Sequence, residues 1–247
     1  MRYLIISDVH SNIEALDACL AVAEGKFDAA VCAGDLVGYG PNPNEAIDKI
    51  RALAKVIIRG NHDKACCGID DAAEFNIFAR IATAWTRKTL TPEHLEFLRA
   101  LPQGPAVMDG FLVVHGSPGN EDEYILGPAQ ALPLLRSPET QTVCFGHTHY
   151  QGGFMLVANK FQSIRFPGRP DGLRLTLPLE TGARYLINPG SVGQPRDGDW
   201  RAAFAILDVD NHQVEYYRVP YDKATTQAKM EAALLPEPLY RRLDLGR

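Results

Sequence analysis

Aspartate, asparagine and histidine gather at a few points in this sequence: Asp8 and His10; Asp35; Asn61, His62 and Asp63; His115; and His147 and His149. Five of the seven histidines of the chain are among them. Two carboxylates, several imidazoles and an amide oxygen suit borderline divalent metals such as Mn, Fe, Co, Ni or Zn. An all-oxygen Mg or Ca cage would not use this much imidazole. The groups exceed what one ion takes and match two ions that share a carboxylate. Two divalent ions about 3.5–4 Å apart form the clamp used for in-line displacement at phosphorus. Such a pair keeps the site positive although the chain carries a net charge of −5.

These residues need elements that bring them together. Residues 2–7 (RYLIIS), 29–33 (AAVCA) and 55–58 (KVII) read as buried strands that stop at Asp8, at Gly34-Asp35 and at the run Arg59 to Asp63. Between them, Ser11 opens an S-x-x-E capping box with Glu14 and a helical spacing of Ile13, Leu16, Leu20 and Ala23. Asn42-Pro43 opens a second helix that carries Ile47 and Ile50. Two successive β-α-β units imply a parallel sheet with right-handed crossovers. Ligand sites in such sheets lie outside the carboxyl ends of the strands. Asp8 to Asp35 is 27 residues and Asp35 to Asn61 is 26, each about one crossover. The polar strand ends should therefore converge.

Farther along, Phe75, Phe78, Ala82 and Trp85 mark a helix, and Thr91-Pro92-Glu93 caps another that carries Leu95 and Leu98. Strands return at 111–114, before His115, and at 142–145, before His147 and His149. After Tyr150 the pattern changes to strands at 153–157, 173–177, 184–187, 203–208 and 214–219, with little helix. This half reads as a second, more antiparallel sheet packed on the first. The turn-rich stretch 166–171 (FPGRPD) is too short for a linker, so residues 1–247 are read as one domain.

Composition narrows the class. Of 247 residues, 46% are hydrophobic and 22% charged, as in globular proteins, with no low-complexity block or repeat. No apolar run approaches the roughly 20 residues that span a bilayer, and Asp8 and His10 interrupt the N-terminus too soon for a signal peptide. Five cysteines, an odd number with apolar neighbours, fit a reducing compartment, and Cys66-Cys67 lacks the C-x-x-C spacing of a metal or redox site. A cytoplasmic protein without membrane contact is expected. No Lys/Arg cluster offers a broad nucleic-acid surface, and oligomeric state is not readable.

Asp8-Val9-His10, Gly34-Asp35, Gly60-Asn61-His62-Asp63, His115-Gly116 and Gly146-His147-Thr148-His149, in that order, resemble the five blocks of the calcineurin-like metallophosphoesterase superfamily. The rest of the chain, including 188–192 (NPGSV), is similar to its small bacterial phosphodiesterase and phosphatase members. The resemblance implies an α/β fold of two packed mixed β-sheets flanked by helices. It implies that Asp8, His10 and His149 hold one metal, that Asn61, His115 and His147 hold a second, and that Asp35 bridges both. His62 would stay off the metals and act on the substrate as proton donor or phosphoryl stabiliser, with Asp63 fixing its tautomer. A metal-bound hydroxide would attack phosphorus. A small phosphodiester is the expected substrate, with a phosphomonoester or phosphoprotein as the alternative.

Other residues are weighed on their own. Arg59 and Arg196 are candidate phosphate contacts, since a guanidinium can hold two phosphate oxygens; salt bridges are the plainer role. Ser191 could turn its hydroxyl to the site or serve only a tight turn. His94 and His212 fit no block and are expected at the surface. The segment 116–128 should overhang the site, where Glu121, Asp122 and Glu123 would disfavour highly charged substrates. Rival hydrolase classes fail on motif: there is no D-x-D after the first strand, and His147-Thr148-His149 does not extend to H-x-H-x-D-H. The H-x-H also comes too late for an amidohydrolase barrel. An inactive scaffold on the same fold is the remaining alternative, although scaffolds can lose the ligands that this chain keeps.

Overall fold

The computed structural model describes residues 1–137, 141–166 and 174–247. Strand β1 (Arg2–Ile6) is apolar on both faces and accordingly lies inside a sheet. The chain continues through α1 (Ile13–Ala23), β2 (Ala29–Cys32), α2 (Pro43–Leu53), β3 (Val56–Ile57), α3 (Asn61–Cys67), α4 (Ile77–Thr89) and α5 (Pro92–Ala100). Next come β4 (Ala106–Val107), β5 (Leu112–Val114), α6 (Pro128–Arg136), β6 (Thr142–Phe145), β7 (Gly152–Val157), β8 (Lys160–Ile164) and β9 (Arg174–Pro178). Strands β10 (Arg184–Asn188), β11 (Ala202–Asp208) and β12 (Gln213–Val219) precede α7 (Lys223–Ala232), α8 (Glu237–Arg241) and a 3-10 turn at Arg242–Asp244.

Two six-stranded mixed sheets result, in the orders β3-β2-β1-β11-β12-β9 and β4-β5-β6-β10-β7-β8. The expected division of the sheets near Tyr150 is therefore corrected. Each sheet combines parallel strands from the first half with antiparallel strands from the second. β11 is buried along its whole length and pairs antiparallel with β1, Leu4 opposite Ile206, which gives both strands two covered faces. In the other sheet, β10 pairs parallel with β6 and antiparallel with β7.

Alternation along β1 separates two apolar layers. Tyr3 and Ile5 point between the sheets, where they join Val31, Val113, Cys144, Tyr185, Ile187 and Leu207. Leu4 and Ile6 point outward to Leu16 and Cys19 of α1 and to Ile47 and Ile50 of α2. On the far side, Ala131 and Leu135 of α6 cover Val143, Phe145 and Leu186. This is an α/β fold of two mixed sheets flanked by helices.

Local details differ from the expectations. Asn12, not Ser11, caps α1, accepting the Ala15 N–H, while Glu14 hydrogen-bonds Thr226 and pairs with Lys229 of α7. The helix marked by Phe75 begins at Ile77 and buries Ala79, Ala82, Thr83 and Thr86. The C-terminal part carries two helices where little helix was expected. His94 is buried, not at the surface, with its ring nitrogens 2.7 Å from Asn44 and 2.8 Å from Asp48; His212 is exposed in its turn. Most of the stretch 166–171, and residue 173 of the strand expected there, lie outside the described residues. Among the described residues no helix is long and apolar enough to cross a membrane.

Candidate metal centre

Asp8 follows β1, Asp35 follows β2, Asn61 follows β3, His115 follows β5, and His147 and His149 follow β6. These strands run parallel within their sheets, so their carboxyl ends open on one edge of the molecule. Asp8, His10, Asp35, His147 and His149 all hold left-handed backbone, with φ between 49° and 64°. Non-glycine residues rarely adopt this region, Asp and His less rarely than most, and such strain gathers at functional sites. The motif glycines are required by close approach. A Cβ on Gly60 would lie 2.1 Å from Asp35 Oδ1, and one on Gly146 would lie 2.0 Å from Ser7 Oγ and 3.0 Å from Asp8 Oδ2.

Two overlapping clusters of ligand atoms result, and Asp35 belongs to both. One joins Asp8, His10, Asp35 and His149; the other joins Asp35, His115 and His147. Asp35 Oδ2 lies 3.6 Å from His10 Nε2 and 3.4 Å from His115 Nε2. Asn61 Oδ1 lies 3.1 Å from the same His115 nitrogen, which adds an amide oxygen to the second cluster. His149 Nε2 is 3.4 Å from Asp8 Oδ1. All these side chains are buried.

The outer nitrogens fix the inner ones. His10 Nδ1 donates to the Val37 carbonyl (3.0 Å), His115 Nδ1 to that of Ala33 (2.8 Å), and His149 Nδ1 to that of Gln194 (2.6 Å). A carbonyl only accepts, so these nitrogens carry the protons and each Nε2 lone pair faces inward, as metal-ligating histidines require. His147 is reversed: its Nε2 donates to the Asp122 carbonyl at 3.2 Å, which leaves Nδ1 as the free ligand atom.

Electrostatics show the want of a cation. Asp8 Oδ2 and Asp35 Oδ2 are buried without a hydrogen-bond partner, and such groups in native proteins call for an explanation. Burial lowers His10 to about 4, His147 to about 3, and His149 well below the usual imidazole range, so all three are neutral. Burial raises Asp8 to about 7. Burial would also lower His115, but the Asp35 charge 3.4 Å away outweighs it and pushes the imidazole up to about 10. Asp35, against its own desolvation, is held well below the usual carboxylate range by His115, His62 and His10. On His115 a proton occupies the lone pair that a ligand would give to a metal. Donor types, orphaned oxygens and inward lone pairs thus fit divalent transition-metal ions.

A family profile for the calcineurin-like phosphoesterase superfamily domain matches residues 1–212. The chain belongs to that superfamily. It is 41% identical to a metallophosphoesterase from Sphaerobacter thermophilus whose crystal structure superposes with a TM-score of 0.84, covering 100% of this chain and 99% of the other. A hypothetical protein from Pyrococcus horikoshii OT3, 22% identical, shares the fold with a TM-score of 0.79 over 100% and 98% of the two chains. An uncharacterized protein from Methanocaldococcus jannaschii is 34% identical over 259 residues, 98% of this chain and 97% of the other.

Around the candidate ligand clusters of this calcineurin-like chain, several residues differ from the sequence reading. The His62 backbone N–H donates to Asp35 Oδ1 at 2.8 Å, and its ring packs against Tyr39, Phe75 and His10 with Nδ1 unpartnered. Asp63 does not hydrogen-bond that ring, which corrects the expectation that it fixes the tautomer. Its oxygens instead accept the N–H groups of Leu36 (2.8 Å), Val37 (3.2 Å) and Gly60 (2.9 Å), tying the Asp35 loop to α3. Ser191 Oγ likewise bonds the Asp8 carbonyl and the Gln194 N–H, both at 2.8 Å, and supports the loop from behind.

Arg59 does not face the centre with a free guanidinium. It grips Glu121 with two bonds, of 2.9 and 3.0 Å, and Lys64 adds contacts to Glu121 and Asp122. The acidic segment is thereby largely neutralised and works as a latch. It brings the Asp122 carbonyl to His147 and stacks Tyr124 on the His147 ring, centroids 3.8 Å apart. Arg196 does border the site: its guanidinium carbon is 5.7 Å from the Tyr39 ring, its amino group donates to Gln194, and its Nε is buried without a partner. Sequence reasoning missed Tyr39, Phe75 and Tyr124. They lie outside the metal blocks, and the only signal was an aromatic in a glycine-rich or site-adjacent loop.

Proposed function

We propose that this chain is a phosphoester hydrolase that takes two divalent transition-metal ions, from among Mn, Fe, Co, Ni and Zn, and acts on small phosphodiesters. The observation that carries this reading is Asp35 Oδ2 placed between His10 and His115, one carboxylate common to two ligand clusters. Asp8, His10 and His149 hold one ion, Asn61, His115 and His147 the other, and Asp35 serves both. When bound, such ions supply a water acidic enough to ionise near neutral pH and a positive clamp on phosphoryl oxygens. Arg196 binds a phosphoryl oxygen at the rim. His62, buried and neutral, offers an N–H to the phosphoryl group. Tyr124 over His147, and Tyr39 and Phe75 around His62, supply aromatic walls on two sides of the centre, which suits an organic group on each side of phosphorus. Five unpaired, buried cysteines accord with a cytoplasmic protein.

The test is release of p-nitrophenol from bis-p-nitrophenyl phosphate by protein loaded with each of the five metals, beside p-nitrophenyl phosphate. Faster turnover of the diester is expected. A faster monoester reaction would shift the reading to a phosphomonoesterase, including one acting on phosphoproteins. No turnover with any metal would favour a scaffold.

A further inference from the structure

A cavity of about 740 Å³ lies beside the candidate metal centre, within the roughly 300–1,000 Å³ usual for ligand sites. Each sheet gives it one side: Gly153 and Ile164, paired across β7 and β8, and Leu175 and Tyr216, paired across β9 and β12. Three segments give one residue to the centre and the next to this cavity. Tyr124 stacks on His147, and Ile125 and Leu126 line the cavity. Thr148, between His147 and His149, lines it too, as does Asp197, next to Arg196. Successive Cα atoms are about 3.8 Å apart, so the cavity abuts the centre. Its rim is apolar yet open to water: Leu126 is 57% and Tyr150 48% exposed, with Tyr124 of the first segment 45% exposed. Exposed apolar side chains gathered in one place mark binding sites. The charged groups of the wall are largely satisfied within the protein: Arg218 pairs with Asp197, Arg174 with Glu215 and Asp199 with Arg201, while Arg165 is exposed. Phe145, Phe154, Phe166 and Tyr216 supply rings, the last two with centroids 4.9 Å apart.

We propose that this cavity receives one ester group of the substrate, a flat aromatic group of nucleobase or naphthyl size that passes Tyr124 to reach it. The proposal rests on the phosphoesterase reading and narrows its substrate class, from small diesters in general to diesters with an aryl or nucleoside group. Aromatic walls favour a flat ring, because ring pairs gain more than the burial of their area. The exposed Arg165 fits the same ligand, since a guanidinium also stacks on a ring face. Paired charges in the wall offer little to an ionic group. The volume far exceeds what a methyl or ethyl ester fills, so a small alkyl group would leave the cavity mostly wet.

Calorimetric titration of the metal-loaded full-length protein tests this without turnover. Propylphosphonate carries the oxyanion alone, 1-naphthylmethylphosphonate adds the ring, and 1-naphthalenemethanol carries the ring alone; none has a phosphoester bond to break. Wild type should bind naphthylmethylphosphonate about tenfold or more tightly than propylphosphonate, a modest share of what burying two fused rings yields. Tyr150→Ala should lower that ratio several-fold, and Leu175→Trp, which fills the cavity, should bring it close to one. Neither change should alter the affinity for propylphosphonate. Equal affinities for the two phosphonates in wild type would overturn the proposal and leave the phosphoesterase reading intact. An unchanged ratio in folded Tyr150→Ala and Leu175→Trp would do the same, because the ring would then rest elsewhere; if Leu175→Trp does not fold, Tyr150→Ala decides. Failure of propylphosphonate to bind wild type would count against the phosphoesterase reading alone. The cavity is then judged by naphthalenemethanol: loss of its binding in either variant supports an aromatic site, and failure to bind wild type overturns it.

Discussion

The Nε2 atoms of His10 and His149 face each other at 3.2 Å, while the Nδ1 atoms of both rings donate to backbone carbonyls. Both imidazoles are neutral, so two lone pairs meet with no hydrogen between them. A cation shared by the two nitrogens removes that repulsion, and this relationship underlies the metal predictions.

Asp35→Asn should weaken both ions, each by more than the roughly 10–100-fold typical of outer-sphere partners, because Asp35 Oδ2 belongs to both clusters. Elemental analysis after dialysis reads this directly. A mutant that keeps one tight ion and loses the other would show that Asp35 serves a single site.

The pH dependence of stability should differ between metal-free and metal-loaded protein. Asp8 and Asp63 are raised from 3.8 to about 7, and His115 from 6.5 to about 10. For the two carboxylates the window of dependence runs from 3.8 to about 7, and for His115 from 6.5 to about 10. Within each the folded state holds protons that the unfolded chain has released, so metal-free stability falls as pH rises, on the alkaline side through His115. Below about 6.5 the unfolded chain takes up protons that four buried histidines refuse: His10 and His147, with folded values of about 4 and about 3, and His62 and His149, held well below the usual range. These outnumber the two protons that Asp8 and Asp63 retain, so stability falls on that side as well. The melting temperature of metal-free protein should peak near pH 6–7, roughly where these opposing contributions cross. Saturating metal should remove the alkaline decline, since Asp8 as carboxylate and His115 as neutral imidazole are the ligand forms. An alkaline decline that metal does not change would contradict this account.

His62→Asn should leave metal content nearly unchanged and reduce kcat by about 10²–10³-fold, the scale of losing one preorganised donor. Burial holds the His62 pKa well below the ordinary value, so the ring stabilises phosphoryl charge as a neutral donor. The loss should then be similar on alkyl and p-nitrophenyl esters. A loss confined to alkyl esters, whose leaving group needs a proton, would make His62 the general acid.

Glu121→Ala should destabilise the fold by about 3 kcal/mol, near the low end for orphaned buried charges, since Arg59 keeps 19% of its side chain exposed. It should also loosen the second metal, because the latch sets the Asp122 carbonyl on His147. Chemical denaturation and metal titration check the two parts. Adding Arg59→Ala should cost less than the sum of the single changes; strict additivity would deny the coupling.

The order of elements was largely legible. Buried strands that end on Asp or His, with crossovers of constant length, indicated where the site lies before any coordinates. The partition of strands between sheets was not legible, because β11 and β1 find each other across two hundred residues by matching two-sided apolar surfaces. Local periodicity shows that a strand is buried on both faces but not by which neighbour. The cap of α1 fell on Asn12 for a similar reason: Glu14, which would complete a box with Ser11, is drawn to Thr226 and Lys229 of α7.

For the site, the sequence by itself narrowed the candidate donors to the Asp, Asn and His residues at the strand ends, and the family resemblance sorted seven of them as ligands. Asp8, His10, Asp35, Asn61, His115, His147 and His149 were identifiable because the chemistry demands those side-chain types. Tertiary structure decided how they are used. The carbonyls of Val37, Ala33, Gln194 and Asp122 choose which imidazole nitrogen faces inward, and a backbone carbonyl leaves no mark in a sequence. Arg59 and Arg196 look alike in the chain, yet Glu121 takes the first and Tyr39 faces the second. The reason is physical: side-chain type limits what a group can bind, but its partner is set by loops that converge only when two sheets pack and the C-terminal turn closes over them.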